Sequence, residues 1–276
     1  MNEFITNNYG ISLEGYVIKS EVIAQAAKMV NDFFIRHIQT EDDIIFYSGL
    51  TEGGALSASI GSLFNSYLVR LSNGNLTLNP VKAGNPDILN ISTEDSKEYF
   101  EFFTRKCKNG TIEVLCPERF GYKKKYEFDG VETKSTSFIK PSGGEFGWGV
   151  QRIWQSNKFT YSAHHNDNDN LMGIIWDYVQ GIPQIVAVMY SKLTKEDWGK
   201  PHKTEGNKST NGYSLNATGV DKMRRGWLCM LNDFMYIKEL RFPPGQESVQ
   251  PGPVNPRPRE CDLFGGWVLR SIFEES

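Results

Sequence analysis

The chain lacks several signals that identify common protein classes. Its 276 residues include only four cysteines, widely scattered and without a Cys-x-x-Cys pair, which disfavours a zinc ribbon and a disulfide framework. No apolar run approaches the roughly 18 residues that a membrane-spanning helix requires, and the polar residues 1–10 do not resemble a signal peptide. We therefore expect a cytoplasmic protein with reduced thiols and no association with membranes.

An excess of charge of one sign and the common nucleotide motifs are also missing. The 30 Lys and Arg residues face 33 Asp and Glu residues, a net charge of −3, which excludes a protein that coats nucleic acid through overall positive charge but permits a local basic cleft. The glycines form neither a GxGxxG nor a GxxxxGK[ST] loop, and no GxSxG motif occurs. A nucleotide-binding loop and an α/β-hydrolase site are therefore unsupported.

Hydrophobic periodicity predicts two helices, at residues 20–37 and 55–71, with Ser20 as the cap of the first and Gly61 as a point of close packing in the second. A third helix is expected from a cap at Ser92 or Thr93 to Lys106. Residues 223–239 fit a helix or a strand equally well. Alternating or β-rich runs predict strands at residues 87–91, 111–115, 126–138, 171–178 and 185–190.

These elements predict a single α/β domain, a mixed β-sheet flanked by helices. A helical part at residues 1–71 precedes a core at residues 80–242. Six of the twelve prolines fall within residues 243–258, so residues 243–276 are predicted to form an extended, Pro-rich C-terminal arm.

Two separate stretches carry a set of side chains suited to metal-dependent chemistry. Pro86-Asp87 opens one predicted strand, and Glu132-Thr133-Lys134 lies on another, where the period of two places Glu132 and Lys134 on one face. Two carboxylates from neighbouring strands can hold a hard cation such as Mg²⁺, which neutralises charge developing on a scissile phosphate. A lysine beside them can orient a metal-bound water or help to deprotonate it.

The Acid-x-Lys pattern is weak by itself, because a second match, Asp95 and Lys97, occurs in a polar run that starts a helix. Asp95 there suits the helix dipole equally well. Glu132 and Lys134 are favoured by their alternating strand and by the separate Pro86-Asp87. A solvated strand face is the alternative interpretation.

Pro86-Asp87 followed by Glu132-Thr133-Lys134 resembles the PD-(D/E)xK pattern of type II restriction endonucleases. The helix around residues 60–65 also resembles the one that precedes the site in that superfamily, which often carries an acid where this chain has Asn65. The order of elements is similar over about residues 55–195.

The resemblance implies a restriction-endonuclease-like core. Asp87, Glu132 and the Thr133 carbonyl would bind Mg²⁺, and Lys134 would position the attacking water. It further implies a homodimer that cleaves both strands of a short site in double-stranded DNA, and a cognate DNA methyltransferase that protects the DNA of a bacterial or archaeal host.

Basic and polar residues near this set are candidates for DNA contacts, in which cations bind phosphates and Arg152 or Arg225 reads a guanine. Solvated charges and polar loops are the alternative. His164 and His165 are either exposed loop residues or lie near the DNA. The candidate contacts are Lys123, Lys124, Lys125, Ser135, Lys140, Ser142, Gly143, Gly144, Arg152, Gln155, Asn157, Lys158, Lys203, Lys208, Arg224 and Arg225.

The favoured function is therefore Mg²⁺-dependent, sequence-specific cleavage of DNA by hydrolysis of phosphodiester bonds. A repair or recombination nuclease with the same core and a non-catalytic DNA-binding module are the two alternatives.

Overall fold

A seven-stranded mixed sheet flanked by helices organises this α/β protein. The computed structural model describes residues 4–40, 43, 46, 55–81, 85–116, 129–137, 161–163, 170–179, 182–204 and 207–231. Its elements are β1 (Phe4–Thr6), β2 (Gly10–Leu13), β3 (Tyr16–Lys19), α1 (Ser20–His37), α2 (Ala55–Leu71), β4 (Leu76–Leu78), β5 (Ile88–Asn90), α3 (Glu94–Phe103), β6 (Thr104–Lys106), β7 (Ile112–Val114), β8 (Gly130–Ser137), β9 (Ser162–Ala163), β10 (Asn170–Val179), β11 (Ile182–Lys192), a 3-10 turn (Lys195–Asp197), β12 (His202–Thr204), β13 (Asn207–Ser214), α4 (Ala217–Arg225) and β14 (Trp227–Leu231).

The strands of the main sheet follow the order β1-β14-β11-β10-β8-β5-β4. β8 and β10 are parallel, and the other neighbouring pairs are antiparallel. The described part of the chain also contains the small sheet β12-β13-β9 and the hairpins β2-β3 and β6-β7. The strand β8 therefore lies in the interior of the main sheet, between an antiparallel and a parallel neighbour.

Helices α1 and α2 cover one face of the main sheet. Their apolar side chains repeat every three or four residues, as a helix with one buried face requires; these are Ile23, Ala27, Val30 and Phe34 in α1, and Leu56, Ile60, Phe64 and Leu68 in α2. All eight belong to a core cluster with the sheet residues Val131 and Ile174. A second cluster on other sheet residues includes Met223 of α4 and Trp227. The sheet thus has packed side chains on both faces.

A buried asparagine fixes α1 against the sheet. The Nδ2 of Asn31 donates to the main-chain oxygen of Ile185 over 3.0 Å, and its Oδ1 accepts from the main-chain N–H of Ile185 over 2.7 Å. Ile185 lies beside a register shift between β10 and β11. The Asn31 side chain therefore pairs main-chain groups at an irregular point of the sheet, where leaving them unpaired is costly.

A buried carboxylate ties α4 to the 3-10 turn. Asp197 is 1% exposed, and its Oδ2 accepts from the Thr194 N–H over 2.7 Å and from the Lys222 Nζ over 2.8 Å. Burial by itself raises the pKa of Asp197, but these donors outweigh it and the net pKa is lowered. The ionised form is therefore the stabilised one.

The two predicted N-terminal helices are confirmed over residues 20–37 and 55–71. The cap predicted at Ser20 is wrong: Lys19 occupies the cap position without a side-chain bond, and the Ser20 hydroxyl donates to the main-chain oxygen of Tyr9. A Cβ added at Gly61 would lie 3.5 Å from the Cβ of Ser135, so α2 does pack closely on β8.

Several other boundaries differ from prediction. Thr93 caps the third helix, as expected, but that helix ends at Phe103 because residues 104–106 pair with residues 112–114 as a hairpin. Residues 217–231 contain both a helix and a strand, α4 and β14. The strands β1 to β4 were not predicted. The C-terminal arm lies outside the described residues, and no described helix is long and apolar enough to cross a membrane.

Candidate active site

The Pro86-Asp87 and Glu132-Thr133-Lys134 stretches meet in the structure. β5 and β8 are antiparallel neighbours with Ile88 opposite Val131, and Asp87 lies directly before β5. The Oδ2 of Asp87 accepts hydrogen bonds from the N–H and the Oγ1 of Thr133, each over 2.9 Å. Residues 46 positions apart in sequence are thereby brought into direct contact.

A glycine makes this close approach possible. A Cβ built on Gly130 would lie 2.2 Å from the carbonyl oxygen of Ile88 and 2.6 Å from the Cγ of Pro86. Both distances are shorter than atoms can approach, so any side chain at this position displaces the segment that carries Asp87. Gly130 is therefore a structural requirement of the site.

Glu132 and Lys134 form an ion pair on one face of β8. The Glu132 side chain is 9% exposed and the Lys134 side chain 25%. Burial is the largest influence on the pKa of Glu132 and raises it, and the charge of Asp87 adds to this. Lys134 and the main-chain N–H of Asp87 act in the opposite direction. Burial would lower the pKa of Lys134, but the charges of Glu132 and Asp87 outweigh it and raise the pKa. Lys134 therefore carries its positive charge at neutral pH.

One oxygen of the Glu132 carboxylate takes no part in the ion pair with Lys134. The Oε2 of Glu132 is buried and has no hydrogen-bond partner among the described residues, whereas buried polar atoms are ordinarily paired with protein, water or an ion. An unpaired carboxylate oxygen beside a second carboxylate is the donor set that a hard cation prefers. The geometry thus fits a cation held between Asp87 and Glu132.

The candidate cation site contains two acids rather than three. No group of three or more His, Cys, Asp or Glu residues that could hold a metal exists within the described ranges. Mg²⁺ does not need one, because it keeps several of its waters and binds proteins through one or two carboxylates. The resemblance to type II restriction endonucleases implies the main-chain carbonyl of Thr133 as a third protein oxygen.

An aromatic ring lies beside Lys134. Gly173 of β10 is opposite Lys134 in the parallel register, and a Cβ at Gly173 would lie 2.3 Å from the ring of Tyr161. Tyr161 is 1% exposed, and its burial raises the pKa of its hydroxyl. The sheet surface next to Lys134 is therefore covered by an uncharged ring.

The two Acid-x-Lys matches have different surroundings in the structure. Asp95 and Lys97 are exposed and lie in α3, where Asp95 belongs to the acidic first turn. A carboxylate there interacts favourably with the positive end of the helix dipole. This match has a structural role at the helix terminus, in contrast to the buried pair on β8.

Sequence reasoning missed the contribution of α2 to the site. Asn65 is 9% exposed, and its Nδ2 donates to the Thr133 Oγ1 over 2.8 Å. The predicted helix at residues 55–71 and the position of Asn65 in it were the available signals. The family resemblance suggests an acid at this position, and an amide forms a different kind of contact. Asn65 was therefore not assigned to the site.

A polar network at the start of β8 was also not predicted. The Oδ1 of Asp129 accepts from the Nδ2 of Asn170 over 3.2 Å, and the Tyr190 hydroxyl donates to Asn170. Burial, and secondarily the charge of Asp129, raise the pKa of Tyr190 to about 12. This network links β8, β10 and β11 next to the site.

Few of the proposed DNA contacts fall on described side chains. Ser135 lies on β8 beneath α2, with its Oγ buried and unpartnered among the described residues, so it does not share the face of Glu132 and Lys134. Arg224 and Arg225 both donate to Asp221, with 14% and 62% of their side chains exposed. Arg225 is thus the more accessible of the two.

The remaining proposed contacts cannot be located on the molecule. Lys203 belongs to β12 and Lys208 to β13, but their side chains are outside the described part. The following residues lie outside the described ranges altogether: Lys123, Lys124, Lys125, Lys140, Ser142, Gly143, Gly144, Arg152, Gln155, Asn157, Lys158, His164 and His165.

Comparison with family models, with curated proteins and with solved structures gave no match to this chain.

Proposed function

We propose that the protein is a Mg²⁺-dependent endonuclease that cuts double-stranded DNA at specific sites, as type II restriction endonucleases do. The observation that carries the proposal is the bonding of Asp87 to Thr133, which stands between Glu132 and Lys134 on β8. Within this set, a buried Glu132 oxygen has no hydrogen-bond partner among the described residues. Two acids and a lysine, from the start of β5 and from β8, are thus near enough for their charges to interact. Such a set can hold a cation that assists hydrolysis of a phosphodiester.

The residues of the site have different proposed roles, which follow from their chemistry. Asp87, Glu132 and the Thr133 carbonyl would hold the cation, which supplies charge neutralisation at the scissile phosphate. In the cation-free site the neighbouring carboxylates raise the pKa of Lys134 despite its burial. Its ammonium group would donate hydrogen bonds that hold the attacking water or the phosphate.

The proposal extends to a homodimer that cuts both strands of a palindromic site, since a two-fold protein matches a two-fold DNA sequence. A cognate DNA methyltransferase would protect the host DNA. The near-neutral net charge of −3 supports selective binding, because bulk positive charge increases binding to all DNA alike.

Cleavage of plasmid DNA by the purified full-length chain tests the proposal. We expect discrete fragments in Mg²⁺ and none in EDTA. Asp87→Asn and Glu132→Gln should each lower the rate at least about 100-fold, since a cation supplies several kcal/mol and about 1.4 kcal/mol corresponds to a factor of ten. Asp95→Asn is the matched control, because it alters the other Acid-x-Lys match and should cleave at the wild-type rate.

The other outcomes contradict the proposal in distinguishable ways. Cleavage without discrete bands on a long duplex, or only at branched or gapped DNA, indicates a repair or recombination nuclease. Binding of DNA without Mg²⁺-dependent cleavage of any substrate indicates a DNA-binding module. Undiminished cleavage by both Asp87→Asn and Glu132→Gln excludes this site as the active centre.

A further inference from the structure

A chain of hydrogen bonds runs from helix α2 to the carboxylate of Asp87. The Asn65 Nδ2 lies 2.8 Å from the Thr133 Oγ1, and that Oγ1 lies 2.9 Å from the Asp87 Oδ2. The main-chain N–H of Thr133 donates to the same Asp87 oxygen over 2.9 Å. Three residues from α2, β8 and the start of β5 are thus connected through one hydroxyl group.

The direction of these hydrogen bonds follows from the chemistry of the groups. An ionised carboxylate only accepts, so the single hydroxyl proton of Thr133 is donated to Asp87. The Thr133 oxygen then remains an acceptor for Asn65, which must present its NH₂ group. This orientation leaves the Asn65 Oδ1 buried and without a partner among the described residues.

The arrangement fixes which oxygen of Asp87 is available. Both donated bonds fall on Oδ2, so Oδ1 is the oxygen that remains for a cation. Asn65 and Thr133 are only 9% and 7% exposed, and Thr133 is β-branched with restricted χ1 rotation. Both donors are therefore held rigidly, and hydrogen bonds at such sites are strengthened by exclusion of water.

We propose that Asn65 and the Thr133 hydroxyl are positioning residues that orient the Asp87 carboxylate and thereby set the affinity of the site for its divalent cation. This inference rests on the proposed function, since it assigns the cation to Asp87. Partners that orient a metal ligand without touching the metal typically contribute about 10- to 100-fold in metal affinity. The role of the Thr133 side chain is separate from that of its carbonyl, which no side-chain substitution removes.

Binding of Mn²⁺ to the DNA-free protein, followed by calorimetry and by the electron paramagnetic resonance of the ion, tests this directly. Thr133→Val removes the hydroxyl but keeps the shape, and we expect it to weaken Mn²⁺ binding about 10-fold or more. Thr133→Ser restores the hydroxyl and should recover most of the affinity. Asp95→Asn should bind Mn²⁺ as the wild type does.

Asn65→Leu is the second variant. It removes the donor to Thr133 at nearly constant volume, and because it lies in α2 it leaves the residues of β8 unchanged. We expect a weaker effect than that of Thr133→Val, about threefold to tenfold, since the hydroxyl still reaches Asp87. In DNA cleavage, both variants should need more Mg²⁺ than the wild type for their half-maximal rate.

The outcomes separate this inference from the proposed function. If the wild type binds Mn²⁺ through Asp87, and Thr133→Val and Asn65→Leu bind it equally well, the positioning role is overturned and the function stands. A lower melting temperature in these variants with unchanged Mn²⁺ affinity likewise overturns it, because it shows a purely structural role. Failure of the wild type to bind Mn²⁺, or binding that Asp87→Asn leaves unchanged, overturns the positioning role, whereas the proposed function is overturned by the cleavage assays.

Discussion

Replacing Lys134 with methionine should destabilise the protein even though methionine fills the same space. Glu132 is 9% exposed and its ion-pair partner Lys134 is 25% exposed, so the substitution leaves a buried carboxylate without its nearest cation. Removing one partner of a fully buried pair costs about 3–5 kcal/mol. Because a quarter of Lys134 is in contact with solvent, we expect a loss of about 2–3 kcal/mol in the free energy of unfolding.

Thermal and urea unfolding in EDTA measure this loss. For a chain of this size, about 1 kcal/mol corresponds to a shift of roughly 2–4 °C, so the melting temperature should fall by about 4–12 °C. Lys97→Met is the matched control, since the exposed Lys97 belongs to the other Acid-x-Lys match; it should change stability by less than about 0.5 kcal/mol.

The double variant Glu132→Gln with Lys134→Met separates charge from packing. It removes both charges, and replacement of a whole buried pair is often neutral, so it should recover most of the stability that Lys134→Met loses. If Lys134→Met is as stable as Lys97→Met, the pair does not neutralise a buried charge and the electrostatic account of the site is refuted. If the double variant is as unstable as Lys134→Met, the lysine contributes through packing instead.

Two further predictions concern the framework around the site. Gly130→Ala places a Cβ 2.2 Å from the carbonyl oxygen of Ile88. We therefore expect the free energy of unfolding to fall by about 1–3 kcal/mol and cleavage to be slower. An unchanged cleavage rate would show that the Asp87 segment is not displaced. Asp197→Asn should lose about 1–2 kcal/mol at pH 7, because the pKa of Asp197 is lowered in the folded state and its ionised form is the stabilising one. The difference from wild type in urea unfolding should therefore begin to shrink as the pH falls below about 4, the ordinary pKa of an aspartate in the unfolded chain. It should be lost once the pH is below the lowered pKa of the folded state, and a difference that persists there contradicts this assignment.

The helices and central strands could be predicted from the sequence because their signals are local. The apolar residues of α2 repeat at helical spacing over the whole helix, and its bounds at residues 55 and 71 coincide with the prediction. The strands β1 and β4 have only three residues each, too short for a periodic pattern, and they form because a long-range partner pairs with them. Ser20 illustrates the same limit, since its hydroxyl bonds to Tyr9 in a neighbouring segment rather than to its own helix.

The sequence predicted that Asp87 opens one strand and that Glu132 and Lys134 lie on another. It did not predict that the two strands are neighbours. The alternation of β8 by itself places Glu132 and Lys134 on one face. The alternating strand and the separate Pro86-Asp87 already favoured this pair over Asp95 with Lys97, and the structure adds that the first pair is largely buried and the second exposed. Asn65 could not be assigned to the site, since a helix has no sequence signal for which strand it covers.

The amino-acid sequence therefore determines by itself the two helices at residues 20–37 and 55–71, the interior strands and the face of β8 that carries Glu132 and Lys134, because these depend on periodicity within one segment. Only the tertiary structure decides that β5 lies against β8, that Gly130 allows their approach, and that Asn65 reaches Thr133. Those contacts join residues far apart in sequence, and their free energy comes from burial and hydrogen bonds that exist only once the chain is folded.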